Sequence, residues 1–497
     1  MTADILLRLQ DLAQGADKDQ AAFAEAENHL DWHGLLRRVS GAAEILARYP
    51  DPIGLLAPSS IEWLVADLAG WAAGRTIVPL PHFFSDAQLE HIVRDAGIKT
   101  IMADASQRDR LAGSGIPRIA LPKAEAAAQL PAMQGRRIVY TSGSTGNPKG
   151  AVLGPEQIRS TCAAVMQAMQ AGAADRHLAV LPYSLLLEAI CGIYLPILAG
   201  GHCTIAPHIA AASGPDIATL LGEAVAQHRP STLVLVPQLL QAWVMVASVG
   251  RVEIPNSLRF VATGGAAVPD SLAERAWQLG IPVHEGYGLT ECGSVVAVNR
   301  PGLRRAGTVG QPLPGYDVRI APDGEIVVRS DSVAEAYLNR TDGPTAGIWH
   351  TGDIGRFDAD GYLQVDGRKD NLIVTGNGRN ISPEWVETML LADPRIARAV
   401  VLRAADGHVA ALLEPSLLGA AWAKAVSPAG LRRVVDAALT AAPRYAVPRH
   451  LALLGPGELA SRQLLTPNGK PRRQDIAAAF ADQFHNPDDV ETRHAFL

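Results

Sequence analysis

Short apolar runs alternate with amphipathic stretches through most of the chain. "PIGLLAP" stands before "IEWLVADLAGWAA", "TIVPLP" before "DAQLEHIVRDAG", and "STLVLVP" before "QLLQAWVMVAS". The short runs read as buried strands and the longer stretches, with apolar residues at helical spacing, as helices. Strand–helix alternation predicts an α/β fold with largely parallel sheets, because parallel neighbours need a crossover connection. Phosphate-bearing ligands favour the C-terminal ends of such strands. "LRFVATGGAAVP" and "IPVHEGYGLTECGSV" continue the pattern, each a strand that ends in a glycine-rich or hydroxyl-bearing turn.

The texture changes after about residue 306. "TVGQPLPGYDVRIAPDGEIVVRSDSVAEAYL" carries Pro-Gly and Asp-Gly turns between short strands and predicts a small antiparallel β region. The tail then reads helix ("PEWVETMLLA"), strand ("ARAVVLRA"), strand ("HVAALLEP"), helix ("PAGLRRVVDAALTAA"). The expected organisation is a large N-terminal domain over residues 1–368 and a small α+β domain over residues 369–497. No internal repeat interrupts it, and the Ala-rich "AGAADRHLAV" and "HIAAASGPD" read as turns.

Composition narrows the class. At 48% hydrophobic and 19% charged residues the chain is globular rather than disordered, and a net charge of −6 gives no footprint for nucleic acid. Cys162, Cys191, Cys203 and Cys292 have no metal-ligand spacing, which reads as reduced thiols in a cytoplasmic protein. The start is an amphipathic helix with mixed charges rather than a secretion signal. The apolar stretch 177–201 carries Pro182, Glu188 and Pro196. A carboxylate at mid-span costs roughly 2.5–3.5 kcal/mol on insertion scales, so a buried strand and helix is expected there, not a membrane segment.

Chemistry concentrates in "YTSGSTGNPKGAV", residues 140–152. Glycines let backbone N–H groups converge on one point, hydroxyls add donors, and Lys149 adds a mobile positive charge. This is a phosphate nest. It departs from the Walker loop, which needs Gly-Lys followed by Ser or Thr, because Pro148 precedes Lys149 and Gly150 follows it. A flexible Gly/Ser linker fits poorly, since strand patterns flank the loop on both sides.

Three further stretches follow. "EGYGLTEC" (285–292) offers a ring backed by glycines that can stack on a base, a hydroxyl for a phosphate oxygen, and a carboxylate for Mg2+. "WHTGDIGRFDADGYLQVDGRKD" (349–370) offers Asp353 as an acceptor for both ribose hydroxyls and Arg368 as a second grip. "LTPNGKPRR" (465–473) presents Lys470 after an Asn-Gly turn. Each alone is equally a polar turn, a pair of solvated β-turns, or a surface lysine.

In this order, however, the four stretches resemble the adenylate-forming (AMP-binding) superfamily, and most closely its acyl-CoA synthetases and long-chain fatty-acid–CoA ligases. The resemblance covers nearly the whole chain. It implies the adenylate-forming fold, with a large N-terminal domain of parallel αβ sheets plus a small β region and a small mobile C-terminal domain. It implies that Thr141, Ser142, Ser144, Thr145 and Lys149 bind the β- and γ-phosphates of ATP. Gly264, Gly265 and Ala266 would line the adenine, with Tyr287 stacked on it and Gly288 in the same motif. Thr290 would contact the α-phosphate, Glu291 would hold Mg2+, Asp353 and Arg368 the ribose, and Asp370 would be the hinge. Lys470 would be the catalytic lysine, bridging the attacking carboxylate and the α-phosphate. Coenzyme A is the implied acceptor.

The substrate segment "LPYSLLLE" narrows the acid. Amino-acid-activating relatives carry an Asp where this chain has Tyr183, if Glu188 is the common Glu, and a tyrosine cannot pair with an ammonium at neutral pH. Acyl-CoA synthetases often read "LPLSHxxE", and Leu185 replaces their His. The spacing in "RKDNLIVTGNGRNISP" resembles the long-chain version of that motif. With "LVLVPQLLQAW", this favours a fatty or other hydrophobic acid. Two alternatives stand beside CoA ligation: loading of a carrier protein's phosphopantetheine arm, and a non-catalytic acyl- or nucleotide-binding module.

Overall fold

A computed structural model describes residues 3–127, 129–141, 148–211, 216–374, 379–416, 418–466 and 469–481. These residues divide into two compact units. Those within Met1–Gly265, Ala276–Arg319 and Val327–His350 form the first; those within Ala266–Arg275, Ile320–Ile326 and Thr351–Leu497 form the second.

Two sheets build the first unit. The seven-stranded sheet runs, in spatial order, Ala336–Tyr337, Lys149–Leu153, Arg136–Thr141, Thr76–Pro79, Ile53–Leu56, Thr100–Ala103 and Arg118–Ala120. Its pairs are parallel from Arg136–Thr141 outward, whereas Lys149–Leu153 runs antiparallel to both its neighbours. The nine-stranded sheet has six parallel strands at its centre, Val283–Tyr287, Phe260–Thr263, Thr232–Leu235, Arg176–Ala179, His202–Ile205 and Ala21–Glu25. Antiparallel strands close both of its edges. The α/β class with largely parallel sheets is therefore the observed one.

The sequence dictates most of these elements locally. Helix Ile61–Ala72 starts where Ser60 Oγ accepts the Trp63 amide at 3.1 Å, and all but one of its residues are buried, as expected for a helix apolar on every side. Helix Asp86–Asp95 starts in a capping box between Ser85 and Gln88. Helix Pro155–Met169 begins on a proline at its first position, where a missing N–H costs nothing. The stretch 177–201 folds as strand Arg176–Ala179 followed by Leu186–Ala189, a π-turn Ile190–Tyr194 and Leu195–Ala199. Among the described residues no helix is long and apolar enough to cross a membrane. Where the stretch 208–216 was expected to be a turn, its described start instead lies in a short helix, Pro207–Ala211, which the proline at its first position favours.

In the second unit, strands Ile396–Arg403 and Val409–Pro415 pair antiparallel, and His450–Leu453 adds a parallel edge. Alternate residues serve opposite faces. Val401, Ala411 and Leu413 pack with Val386, Leu390, Leu431 and Val435. Val400, Leu402 and Leu412 pack with Leu464, Ile476 and Phe480.

One polar cluster sits in the core of the first unit. Arg137 and Asp67, both wholly buried, approach to 3.3 Å. Tyr194 Oη donates to Asp67 at 2.5 Å and accepts from Arg137 at 2.7 Å, and the guanidinium also donates to the Tyr183 carbonyl at 3.0 Å. Arg137 lies on the strand that leads into the glycine-rich loop and Tyr183 in the segment 181–188, so the cluster ties these two together. Removing one member strands a buried charge. Asp67→Ala should therefore destabilise the protein by about 3–5 kcal/mol in urea unfolding, and Asp67→Ala/Arg137→Leu should recover much of the loss. A double variant no more stable than the single one would contradict this reading.

Candidate active site

The ends of the glycine-rich loop are fixed by backbone pairing. Thr141 ends one strand, Lys149 begins the next, and the two are ladder partners. Ser142, Ser144 and Thr145 lie outside the described residues. The Lys149 side chain is half-buried, and its ammonium rests 5.5 Å from the centroid of the Tyr337 ring. Tyr337 is held there because Ala336–Tyr337 pairs with the same strand, Tyr337 facing Ala151, and because Trp349 packs edge-on at 5.4 Å.

The Tyr337 hydroxyl donates a hydrogen bond to Glu291 Oε1. Glu291 lies in a one-turn 3-10 helix, Thr290–Cys292, and is buried, while Thr290 is half-buried. The Ala334 amide bonds the Glu291 carbonyl at 2.8 Å, which docks the segment leading to Tyr337 onto this turn. Lys149, Tyr337 and Glu291 thus form one continuous chain of contacts.

Tyr287 and Gly288 follow at the C-terminal end of strand Val283–Tyr287. Gly264 follows the neighbouring strand Phe260–Thr263, and Gly265 and Ala266 after it are exposed. A Cβ on Gly288 would stand 2.0 Å from the Ser294 carbonyl oxygen, so only glycine lets the chain close this turn. A Cβ on Gly264 would meet the Gly286 carbonyl at 2.9 Å, which shows how closely the two strand ends approach.

A network under these strand ends was not read from the sequence. Glu285 accepts from Arg304 at 2.9 Å and from Asn299 at 3.1 Å, and Asn299 also donates to the Thr308 carbonyl at 2.9 Å. Burial pushes the Glu285 carboxyl up, and the Arg304 guanidinium opposes that shift. Beneath them His284 stacks on Phe260 with ring centroids 4.1 Å apart and meets Trp277 edge-on at 5.7 Å.

In the second unit Arg368 Nη1 donates to Asp353 Oδ1 at 3.0 Å and to the Thr351 carbonyl at 3.1 Å. The two residues face each other as ladder partners of a hairpin, Asp353 buried and Arg368 partly open. Asp370, exposed, follows in a 3-10 turn Lys369–Asn371.

Lys470 is exposed beyond a turn in which Thr466 accepts the Lys470 amide at 3.0 Å and the Lys470 carbonyl accepts the Thr466 amide at 2.8 Å. Arg473, three residues on, anchors that loop by donating to both oxygens of Glu387 at 2.6 and 2.8 Å and to Glu384 at 3.2 Å. Glu384 also accepts from Asn371 at 2.6 Å.

The segment 181–188, expected to meet the substrate, is mostly core. Tyr183 packs against Trp63, and its hydroxyl lies 3.4 Å from the Gly192 carbonyl and 3.6 Å from Cys203 Sγ. Glu188 is wholly buried, with His177 Nε2 3.5 Å away, and burial pushes its carboxyl up. Leu185 is half-buried.

Comparison with known proteins follows this geometry. The family described as AMP-binding enzyme matches residues 10–338. Long-chain-fatty-acid--CoA ligase FadD15 of Mycobacterium bovis is 26% identical over 73% of this chain and 72% of that protein. The probable non-canonical nonribosomal peptide synthetase CymA of Salinispora arenicola is 28% identical over 92% of this chain but only 6% of its own length. Among solved structures, the anthranilate CoA ligase AuaEII in complex with anthranoyl-AMP superposes with a TM-score of 0.82 over 96% of this chain and 97% of that one, at 21% identity, which shows a shared fold.

The His284 stack carries a pH signature. Burial lowers the imidazole from its ordinary 6.5 to about 4. Above 6.5 the ring is neutral in folded and unfolded chains alike; between 6.5 and about 4 only the unfolded chain takes the proton, so stability falls as pH falls. From pH 7 to pH 5, wild type should lose about 2 kcal/mol relative to His284→Phe in urea unfolding. Parallel pH profiles for the two proteins would show that His284 is not held neutral.

Proposed function

We propose, from the premise that this chain belongs to the AMP-binding enzyme family and is an AMP-forming acid–thiol ligase, that its substrate is a hydrophobic carboxylic acid, in the first place a fatty acid. ATP converts the acid to acyl-AMP with release of pyrophosphate, and coenzyme A then takes the acyl group as a thioester. The observation that carries this reading is the contact chain from Lys149 through Tyr337 to Glu291, which gathers a cation and a carboxylate beside the fixed ends of the phosphate loop.

The reacting groups are both anions: a carboxylate must approach the α-phosphate. No general base is required, and rate must come from positioning and charge neutralisation. The carboxylate oxygen attacks phosphorus, the bond to the bridging oxygen breaks, and pyrophosphate leaves toward Thr141, Lys149 and the loop between them. Thr290 donates to the α-phosphate. Tyr287, at the end of its strand, stacks on adenine beside Gly264, Gly265, Ala266 and Gly288, and the Asp353–Arg368 pair grips the ribose. Lys470 bridges the two anions during adenylation.

Mg2+ arrives with ATP, and one buried carboxylate supplemented by phosphate oxygens and water is a donor set that suits it. Glu291 would hold it there, and the ion supplies neutralisation of phosphate charge. The C-terminal domain from residue 369 acts as the mobile part, with Asp370 as its hinge.

Tyr183 supports an acid without an amino group. The tyrosine is buried in a side-chain cluster and leaves no carboxylate at that position to meet an ammonium. The match to FadD15 supports the fatty acid, and the match to CymA over nearly the whole chain supports a second reading in which a carrier protein's phosphopantetheine replaces CoA.

ATP–pyrophosphate exchange across acids from acetate through benzoate to long-chain fatty acids, without a thiol, tests the substrate. Exchange confined to the longer acids is expected, and exchange confined to amino or short polar acids would overturn the reading. Lys470→Ala should lower exchange by about 100-fold or more while ATP binding survives; undiminished exchange would remove Lys470 from its role. Asp353→Ala should weaken ATP by roughly 10–100-fold with the acid affinity unchanged. Equal losses for both ligands would contradict a ribose contact.

A further inference from the structure

Tyr337 occupies a position that no sequence motif marked. It is almost wholly buried, yet it touches the two charged groups on which phosphate handling depends. Its ring face underlies the Lys149 ammonium, and its hydroxyl donates to Glu291 Oε1. Among the described residues Lys149 makes no ion pair, so a neutral aromatic ring lies where a carboxylate would otherwise quench it.

The physical roles of the two ends differ. The negative face of an aromatic ring attracts an ammonium without neutralising it, and leaves its N–H donors for another acceptor. A phenol that donates to one carboxylate oxygen fixes the carboxylate plane and leaves it anionic, with the other oxygen for a cation. Backbone pairing of Ala336–Tyr337 with Lys149–Leu153, and of Ala334 with Glu291, sets the side chain between its two partners. A tyrosine can serve both ends at once; phenylalanine can serve only the ammonium.

We propose that Tyr337 is a positioning residue that separates Lys149 from Glu291 and sets each for its own ligand: the lysine for the outgoing pyrophosphate, the glutamate for the magnesium ion that accompanies ATP. The inference rests on the nucleotide reading given above. It assigns to this chain a residue that contacts neither substrate yet governs how ATP and Mg2+ are coupled.

Calorimetric titration of ATP into the enzyme at a series of Mg2+ concentrations, without acid or thiol, separates the two roles. For Tyr337→Phe, ATP affinity at saturating Mg2+ should match wild type, while the Mg2+ concentration giving half of the full ATP affinity rises about tenfold. For Tyr337→Leu, ATP affinity should fall even at saturating Mg2+, because the ring under Lys149 is gone as well. Melting temperatures of both variants, taken alongside, identify any general loss of structure. An unchanged Mg2+ dependence in Tyr337→Phe, or an equal loss of ATP affinity at every Mg2+ concentration, would overturn the proposal. Failure of wild type itself to bind ATP would instead overturn the nucleotide reading.

Discussion

Strand Lys149–Leu153 is hydrogen-bonded on both edges, and the ends of the glycine-rich loop and the placement of Tyr337 depend on that double pairing. On one side it faces Arg136–Thr141, which closes the two ends of the glycine-rich loop against each other. On the other it faces Ala336–Tyr337, which brings a phenol to the lysine at its start. A loop free at either end would pay more conformational entropy on ordering around any ligand. Here the frame around it is set by sheet pairing before any ligand enters. The same strand inherits rigidity from the core, since its neighbour carries Arg137 into the buried cluster with Asp67, Tyr194 and the Tyr183 carbonyl.

In the proposed reaction two anions meet, and the candidate cations are each held in a different way. Lys149 rests on a ring, Arg368 is oriented by Asp353, and Lys470 stands exposed on a loop anchored by Arg473 to Glu384 and Glu387. Burial keeps His284 neutral, so the ring adds no positive charge near neutral pH.

Much of this was legible in the sequence because periodicity is local. The strand–helix pairs at 53–72, 76–95 and 232–248 and the two tail helices lie where apolar spacing, Ser caps and N-terminal prolines put them. The strands that flank the glycine, hydroxyl and lysine loop were legible because each is a short apolar run that meets it, and Thr141 and Lys149 pair as its two ends. The parallel edge strand His450–Leu453 was not, since four residues are too few to display a period. Nor was Tyr337, whose partner Glu291 is 46 residues away and whose own neighbourhood, "AEAYLNR", contains nothing that marks a site. The Arg304–Glu285–Asn299 network was missed for the same reason: its logic is spatial, and it surfaces only when two strand ends are laid side by side.

In the proposed reaction the acid attacks the α-phosphate of ATP, so that its own oxygen leaves on AMP. The direct test is a single turnover with a fatty acid labelled with oxygen-18 in its carboxylate, ATP and CoA, followed by mass spectrometry of the nucleotide and pyrophosphate. The account predicts one labelled oxygen in AMP and none in pyrophosphate. Label in inorganic phosphate with ADP as the nucleotide product, or unlabelled AMP alongside thioester, would contradict it.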